Sequence, residues 1–331
     1  MNILGIETSC DETAAAVWLT DHLASNKIAS QEVHANFGGV VPELASRAHV
    51  KLILPIIQSA LSEANINKQD LDGIAVTYGP GLAGSLLVGL NVAKSMALAL
   101  KVPYIGINHM EGHLFSNSVL EKGPEPPFIS LTISGGHTQL VYVKGWGDYK
   151  ILGKTRDDAA GEAFDKVAKM LELSYPGGPA IDKLAKDGDP EYISLPKAKF
   201  KDNSLDFSYS GLKTAVLYHL QNLDSQERHR HKADIAASFQ KAAIEVLIEN
   251  SLKALEEHEI DELALAGGVA CNSYLRKHLH QESNRRRFKL YVPPVNLCTD
   301  NGAMIARAGY FYLEKGERSE YTLSPKPSLS L

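Results

Sequence analysis

Short apolar runs alternate with polar, glycine-rich breaks along this chain, and the pattern occurs twice. In the first half, Asn2–Glu7 and Ala14–Leu19 read as two strands joined by the polar turn Thr8–Thr13, and Ile28–Val33 offers a third. Gly38 and Gly39 then break the chain. A helix is predicted from Val41 to Ala64, with Pro42 at its start and a kink at Pro55. Its apolar positions Leu44, Val50, Ile53, Leu54, Ile57 and Leu61 largely follow helical spacing. Gly73–Thr77 is a buried strand that passes through the glycine-rich turn Gly79–Ser85 into an apolar helix, Leu86–Leu100. Tyr104–Ile107 is another buried strand, and it leads into Asn108–His113 at the start of a helix.

After the break at Gly123–Pro127 the same parts return. Phe128–Ile133 and Gln139–Val143 form a second hairpin with Ser134–Thr138 at its tip. A helical middle follows: Gly161–Ala168, a helix after the turn Pro176–Pro179 with Asp182 in its first turn, Phe207–Gln221 and Ala233–Leu255. Then come the strand Glu262–Ala266, the glycine turn Gly267–Asn272 and the helix Ser273–Gln281. The strand Phe288–Val292, the loop Pro293–Thr299 and the helix Asn301–Glu314 complete the set. Both halves therefore read hairpin, strand–glycine–helix, strand–loop–helix. Internal repetition outranks any single motif as evidence about fold. It predicts a duplicated α/β fold, two subdomains around a nucleotide cleft. They span 1–108, completed by a C-terminal helix at 307–331, and 109–306.

Composition changes this picture little. The 331 residues, 44% hydrophobic and 22% charged, supply enough apolar material for two cores. With a net charge of −5, a nucleic-acid partner would need a local basic patch. Arg228–Lys232 and Arg285–Arg287 are the candidates, and the plainer reading of each is a solvated loop. Cys10, Cys271 and Cys298 are far apart and odd in number, which argues against a disulfide framework and for a reducing compartment. No apolar run reaches transmembrane length without interruption. The expectation is a cytoplasmic protein that does not engage a membrane.

The candidate chemistry centres on His109 and His113. Their spacing of four places both imidazoles on one helix face, where they can grip one divalent metal ion. The alternative is a pair of core or capping histidines. The duplication aligns them with the neighbourhood of Asp300, and a pseudo-twofold would bring that carboxylate towards them. Two imidazoles and one carboxylate leave open positions on a metal, as catalytic sites require, and the donor set suits iron or zinc. Asp300 on its own also fits a helix N-cap. A metalloprotease signature is absent, because Met110-Glu111-Gly112 puts the glutamate in the wrong place. The turn Gly79–Ser85 could offer N–H groups to an anion, or could be a tight connection with no ligand; it matches neither dinucleotide nor P-loop spacing. Arg47 and His49 read as solvated or capping residues. Asp11 and Glu12, on the first hairpin, are the nearest candidates for a general base.

Six segments in order carry a resemblance that covers essentially the whole chain. They are Gly5–Thr13, Tyr78–Leu82, His109–His113, Ser134–Thr138, Ala266–Asn272 and Thr299–Gly302. The sequence resembles the bacterial tRNA threonylcarbamoyladenosine synthase family, once labelled glycoprotease, within the actin/Hsp70/sugar-kinase (ASKHA) superfamily. The resemblance implies transfer of a threonylcarbamoyl group from threonylcarbamoyl-AMP to N6 of the adenosine 3′ of the anticodon in tRNAs reading codons that begin with A. It implies His109, His113 and Asp300 as ligands of one metal ion per subunit, iron first and zinc as the alternative. It implies substrate binding by Thr132, Ile133, Ser134, Gly135, Gly136, Asp165, Gly178, Asp182 and Asn272. It also implies tRNA as partner, with a shorter paralogue, TsaB, and the ATPase TsaE. The helix pair Val41–Ala64 and Ser85–Leu100 is the expected docking element, with Val88 and Met96 at its exposed face, unless the second helix is wholly buried. From fold alone, a small-molecule kinase or ATPase of the same superfamily is the alternative.

Overall fold

Successive side chains of a strand point to opposite faces, and the first strand of this chain is apolar on both. In the computed structural model, which describes residues 1–37, 39–198 and 200–331, that strand lies inside a sheet covered on two sides. Gly38, one of the two predicted chain-breaking glycines, lies outside the described residues. The chain divides into two units, Met1–Gly123 with Asn296–Leu331, and Pro124–Val295.

In the first unit, β1 (Asn2–Glu7), β2 (Glu12–Leu19), β3 (His22–Ser30), β4 (Gly73–Gly79) and β5 (Tyr104–Asn108) form one sheet in the order β3-β2-β1-β4-β5. β1 and β2 pair antiparallel, with Ile6 opposite Ala15, while β1, β4 and β5 run parallel. The helices are α1 (Pro42–Glu63), α2 (Ala83–Leu100) and α3 (His109–Phe115). Leu4, Ile6, Ile74 and Val76 share a buried cluster with Ile53 and Ile57 of α1 and Leu90, Ala93 and Ala97 of α2. α1 is one continuous helix through Pro55, which is exposed. β3 starts earlier than the apolar run Ile28–Val33 suggested, and Glu32–Phe37 is a 3-10 turn. The first part of β3 is polar and only half-buried, which hid it from a hydrophobic pattern.

His49 corrects the expectation of a solvated or capping residue. It is fully buried on α1, its Nδ1 2.8 Å from Thr13 Oγ1 and its Nε2 2.9 Å from the Cys10 carbonyl oxygen. Arg47 is exposed and pairs with Glu43 one turn away.

The second unit repeats the sheet. β6 (Phe128–Ile133), β7 (Thr138–Gly145), β8 (Asp148–Lys154), β9 (Glu262–Ala266) and β10 (Lys289–Tyr291) lie in the order β8-β7-β6-β9-β10. Strand for strand, this is the arrangement of the first unit, including the antiparallel hairpin β6–β7 and the parallel strands β6, β9 and β10. Its helices are α4 (Ala160–Met170), α5 (Gly177–Leu184), α6 (Ser210–Gln221), α7 (Ser225–Arg230), α8 (Lys232–His258) and α9 (Ser273–Arg286).

The chain returns to the first unit through one helical turn, α10 (Val295–Cys298), and α11 (Gly302–Glu314). α11 packs on the other face of the first sheet. It comes so close that a Cβ on Gly5 would lie 2.4 Å from Ala306 N and from Gly302 O. Here glycine is needed for approach, not for backbone freedom. Because α3 packs against α11, the contacts place His109–Gly123 in the first unit, so the boundary falls after Gly123 rather than after Asn108. The tail beyond α11 lies along β4 and β5: Ser319 N donates to Tyr104 O, Lys326 N to Tyr78 O and Asn108 Nδ2 to Ser330 O.

Candidate metal and substrate sites

The metal candidate begins with a cap. Asn108, the last residue of β5, accepts hydrogen bonds through Oδ1 from Met110 N at 2.8 Å and Glu111 N at 3.4 Å. This starts α3 at His109, so His109 and His113 project from one face, and both are buried. Asn301 caps α11 in the same way, through Met304 N at 3.0 Å. The cap reading of Asp300 is thereby displaced by one residue, and its carboxylate lies beside the imidazoles. Asp300 Oδ1 is 3.1 Å from His113 Nε2 and 3.5 Å from His109 Nε2. One ligand atom from each of the three residues lies within 4.8 Å of the others, a group that could hold a metal ion. Nitrogen, nitrogen and oxygen donors converging from a buried helix face suit a divalent transition metal. Glu111 is not one of the three clustered residues, and Tyr312 Oη donates to it.

Charge around this group is concentrated. Burial lowers the His109 pKa, but Asp300 and Glu7 outweigh it and raise it to about 9. Burial raises Glu7, but His109 wins and holds it below its ordinary range. Glu12 is pushed well up by burial and then by Asp300 and Asp11. The Cys10 thiol is also pushed up, by burial and then by Asp11, so it stays a neutral thiol and offers no nucleophilic thiolate. Glu7 escaped the sequence reading. Its only signal there is a carboxylate ending an otherwise apolar strand.

The turn after β4 packs tightly against the tail and the first hairpin. A Cβ on Gly79 would lie 2.1 Å from Lys326 O, and one on Gly81 2.5 Å from Ser9 O. Gly81 N donates to Pro327 O and Leu82 N to Ser9 O, so those N–H groups bind the chain itself.

In the second unit, hydrogen bonds tie Ser134, Asp165, Asp182 and Asn272 to neighbouring elements. Gly161 N, in α4, donates to Ser134 O at the hairpin tip. Asp165, on the same helix, accepts from Gly177 N at the start of α5 at 2.7 Å. Asp182, on α5, accepts from Ser273 N and Oγ at the start of α9. Asn272 caps α9 through Leu275 N and donates to Gln240 Oε1 at 2.8 Å. Thr132 and Ile133 are buried in β6, whereas Gly135, Gly136 and Gly178 have open space where a Cβ would stand. Backbone left bare in this way can be approached closely by a ligand.

Of the basic runs, Arg228, His229 and Arg230 are exposed on α7, a helix rather than a loop. Arg285 and Arg286 pair with Glu282. α2 is long and apolar enough to pass as a membrane span by composition, yet Leu86, Leu90, Ala93 and Ala97 pack in the first unit's core. Leu87 and Leu98 of α2, and Val50 and Leu54 of α1, stay exposed.

Duplicate five-stranded sheets of this order, with helices on them, define an actin/Hsp70-like α/β protein. Among solved structures the fold is similar to a HypF from T. kodakarensis, with a TM-score of 0.66 at 16% identity over 95% of this chain and 48% of that one. It is also similar to the activator of 2-hydroxyisocaproyl-CoA dehydratase from Clostridium difficile, with a TM-score of 0.54 at 12% identity over 96% and 97%. These likenesses show the fold alone. The family model described as TsaD, tRNA N6-adenosine threonylcarbamoyltransferase, matches residues 22–307. Enzymes of that name from Clostridium perfringens and Clostridium botulinum are 53% and 51% identical to this chain. They align over 99% and 100% of it and 98% of their own lengths. The chain belongs to the TsaD family of tRNA N6-adenosine threonylcarbamoyltransferases.

Proposed function

We propose that this chain transfers the threonylcarbamoyl group from threonylcarbamoyl-AMP to N6 of the adenosine 3′ of the anticodon in tRNAs reading codons that begin with A. Membership of the TsaD family carries this reading. In the reaction the N6 amine attacks the carbamoyl carbon, a C–N bond forms, the C–O bond to phosphate breaks, AMP leaves and N6 loses one proton. The acyl carbon is already activated, so no covalent nucleophile is required, in keeping with the neutral Cys10 thiol.

The adenylate is assigned to the second unit: Thr132, Ile133, Ser134, Gly135 and Gly136 on β6 and the hairpin tip, Asp165, Gly178 and Asp182 on α4 and α5, and Asn272 at α9. The open backbone at Gly135, Gly136 and Gly178 supports this. Holding the mixed anhydride still against the incoming amine is the main catalytic contribution of these residues. His109, His113 and Asp300 would hold one divalent ion, iron or zinc, which when bound supplies a Lewis acid for a phosphate or carbonyl oxygen. Asp11, on the first hairpin, is the assigned acceptor of the N6 proton, since burial and Asp300 push Glu12 towards its neutral form. The exposed apolar residues Val50, Leu54, Leu87 and Leu98 are assigned to docking of the paralogue TsaB, with TsaE joining the complex.

The test is mass spectrometry of tRNA nucleosides after incubation with threonylcarbamoyl-AMP, with and without TsaB and TsaE. Threonylcarbamoyladenosine should form with the wild-type chain and not with His109→Ala or Asp300→Ala. Full activity of either variant with its full metal content would contradict the metal assignment. ATP-dependent phosphorylation of a small substrate would favour the kinase alternative.

A further inference from the structure

β1 ends on a carboxylate that no bulk property explains. Glu7 is wholly buried, and its side chain faces hydrogen-bond donors. Oε1 accepts from Ser9 N at 2.5 Å, and Oε2 accepts from Thr77 Oγ1 and lies 3.1 Å from His109 Nδ1. Ser9 Oγ is also 3.1 Å from that Nδ1. The opposite ring nitrogen, Nε2, is the one that faces Asp300.

A neutral imidazole carries one N–H, and a carboxylate can only accept. With Oε2 at hydrogen-bond distance, the proton belongs on Nδ1. The other tautomer would set a nitrogen lone pair against a carboxylate oxygen. In the neutral ring that a metal requires, the lone pair therefore sits on Nε2, aimed at the space shared with His113 and Asp300. From this geometry we infer that Glu7 is a positioning residue for the metal centre, fixing the tautomer and ring orientation of His109 so that Nε2 can ligate. The inference rests on the metal reading above. An outer carboxylate of this kind both locks a ligating histidine and raises its basicity.

Glu7→Gln separates this role from packing, because the two side chains have nearly the same shape. Ser9 N can only donate, so the amide oxygen must stay opposite it. The amide NH₂ then takes the place of Oε2 and donates to His109 Nδ1, which moves the ring proton to Nε2, where the metal should bind. Thr77 can rotate its hydroxyl to accept. Zinc affinity is measured by competition with a chromophoric chelator for the wild-type chain, Glu7→Gln and Thr77→Val. The last variant removes a donor to the same carboxylate but leaves the acceptor for Nδ1–H.

Glu7→Gln should bind zinc about 10- to 100-fold more weakly than wild type. Thr77→Val should stay within about threefold, since the carboxylate that sets the tautomer remains. In the zinc-loaded wild-type protein, ¹⁵N spectra of the imidazoles should show His109 with Nδ1 protonated and Nε2 bound to metal. Wild-type affinity in Glu7→Gln would overturn the inference alone. So would an equal loss in Thr77→Val, which would mark the effect as general packing. Absence of zinc binding by the wild-type chain would overturn the metal centre itself, and this inference with it.

Discussion

Asn108→Ala is the perturbation that ties local helix chemistry most closely to the site. The side chain closes the first turn of α3 through Met110 N and Glu111 N, and it anchors the tail through Ser330 O at 2.9 Å. Loss of an asparagine N-cap costs about 1 kcal/mol. The hydrogen bond to Ser330 is exposed and adds at most about 0.5 kcal/mol, the low end for such a bond. A total of about 1.5 kcal/mol leaves a domain folded, since ordinary stabilities are about 5–15 kcal/mol. The loss is not spread evenly, however. α3 has only seven residues, too few to hold its first turn without help, and His109 is the first of them. If the cap energy is spent on re-forming that turn when metal binds, about 1.4 kcal/mol corresponds to a tenfold weaker site. Zinc competition should therefore give a dissociation constant about tenfold higher, and urea unfolding a lower midpoint with unchanged slope. Asn108→Asp, which keeps the capping acceptor, should recover most of both. Wild-type zinc affinity in Asn108→Ala, alongside a measured loss of stability, would refute the claim that the cap organises the metal ligands.

Three further outcomes follow from the same geometry. Gly136→Val should weaken binding of a non-hydrolysable adenylate analogue by calorimetry without lowering the melting temperature, because a Cβ there meets nothing in the protein; unchanged affinity would count against the substrate assignment. Leu87→Glu or Leu98→Glu should abolish a heterodimer with TsaB in size-exclusion chromatography, whereas these exposed positions should leave the isolated chain's stability within about 0.5 kcal/mol of wild type; an intact heterodimer would move the docking surface elsewhere. The His109 pKa is raised and the Glu7 pKa is lowered in the metal-free chain. The raised histidine contributes stability that is complete below its unfolded value and is lost as pH rises through about 9. The lowered glutamate contributes stability above its unfolded value, lost as pH falls. Metal-free protein should thus lose stability towards pH 9 in urea titrations, and a flat profile there would contradict the ion pair.

Much of the fold was legible because the pattern is written twice. The two hairpins, the parallel strands after them and the helices on them follow from apolar runs and glycine breaks, and the matching sheet orders agree with that repeat. β8 was missed because Asp148–Lys154 is mostly exposed and polar, so no apolar run marks it. α11 was found as a helix, but its place against β1 and β2 depends on Gly5 and Gly302, whose small size becomes informative only when the backbones meet. At the metal candidate, the spacing of His109 and His113 was readable, and Asp300 was reachable through the repeat. Glu7 and Thr77 were not, because their pairing joins neighbouring parallel strands far apart in sequence. His49 misled for a similar reason: its partners lie on the first hairpin, and nothing on its own helix points to them. Val88 and Met96, expected at the exposed face of α2, are half-buried against the core, and the exposed apolar positions there are Leu87 and Leu98.

The central claim is acyl transfer with AMP as the leaving group. Its most direct test is a single reaction containing the chain, TsaB, TsaE, threonylcarbamoyl-AMP labelled in the threonine carbon, and tRNA, with both products quantified together. The account predicts labelled threonylcarbamoyladenosine and AMP in equal amounts, with formation of both lost in Asp300→Ala. AMP released without labelled nucleoside, or labelled nucleoside formed at the wild-type rate by Asp300→Ala, would contradict it.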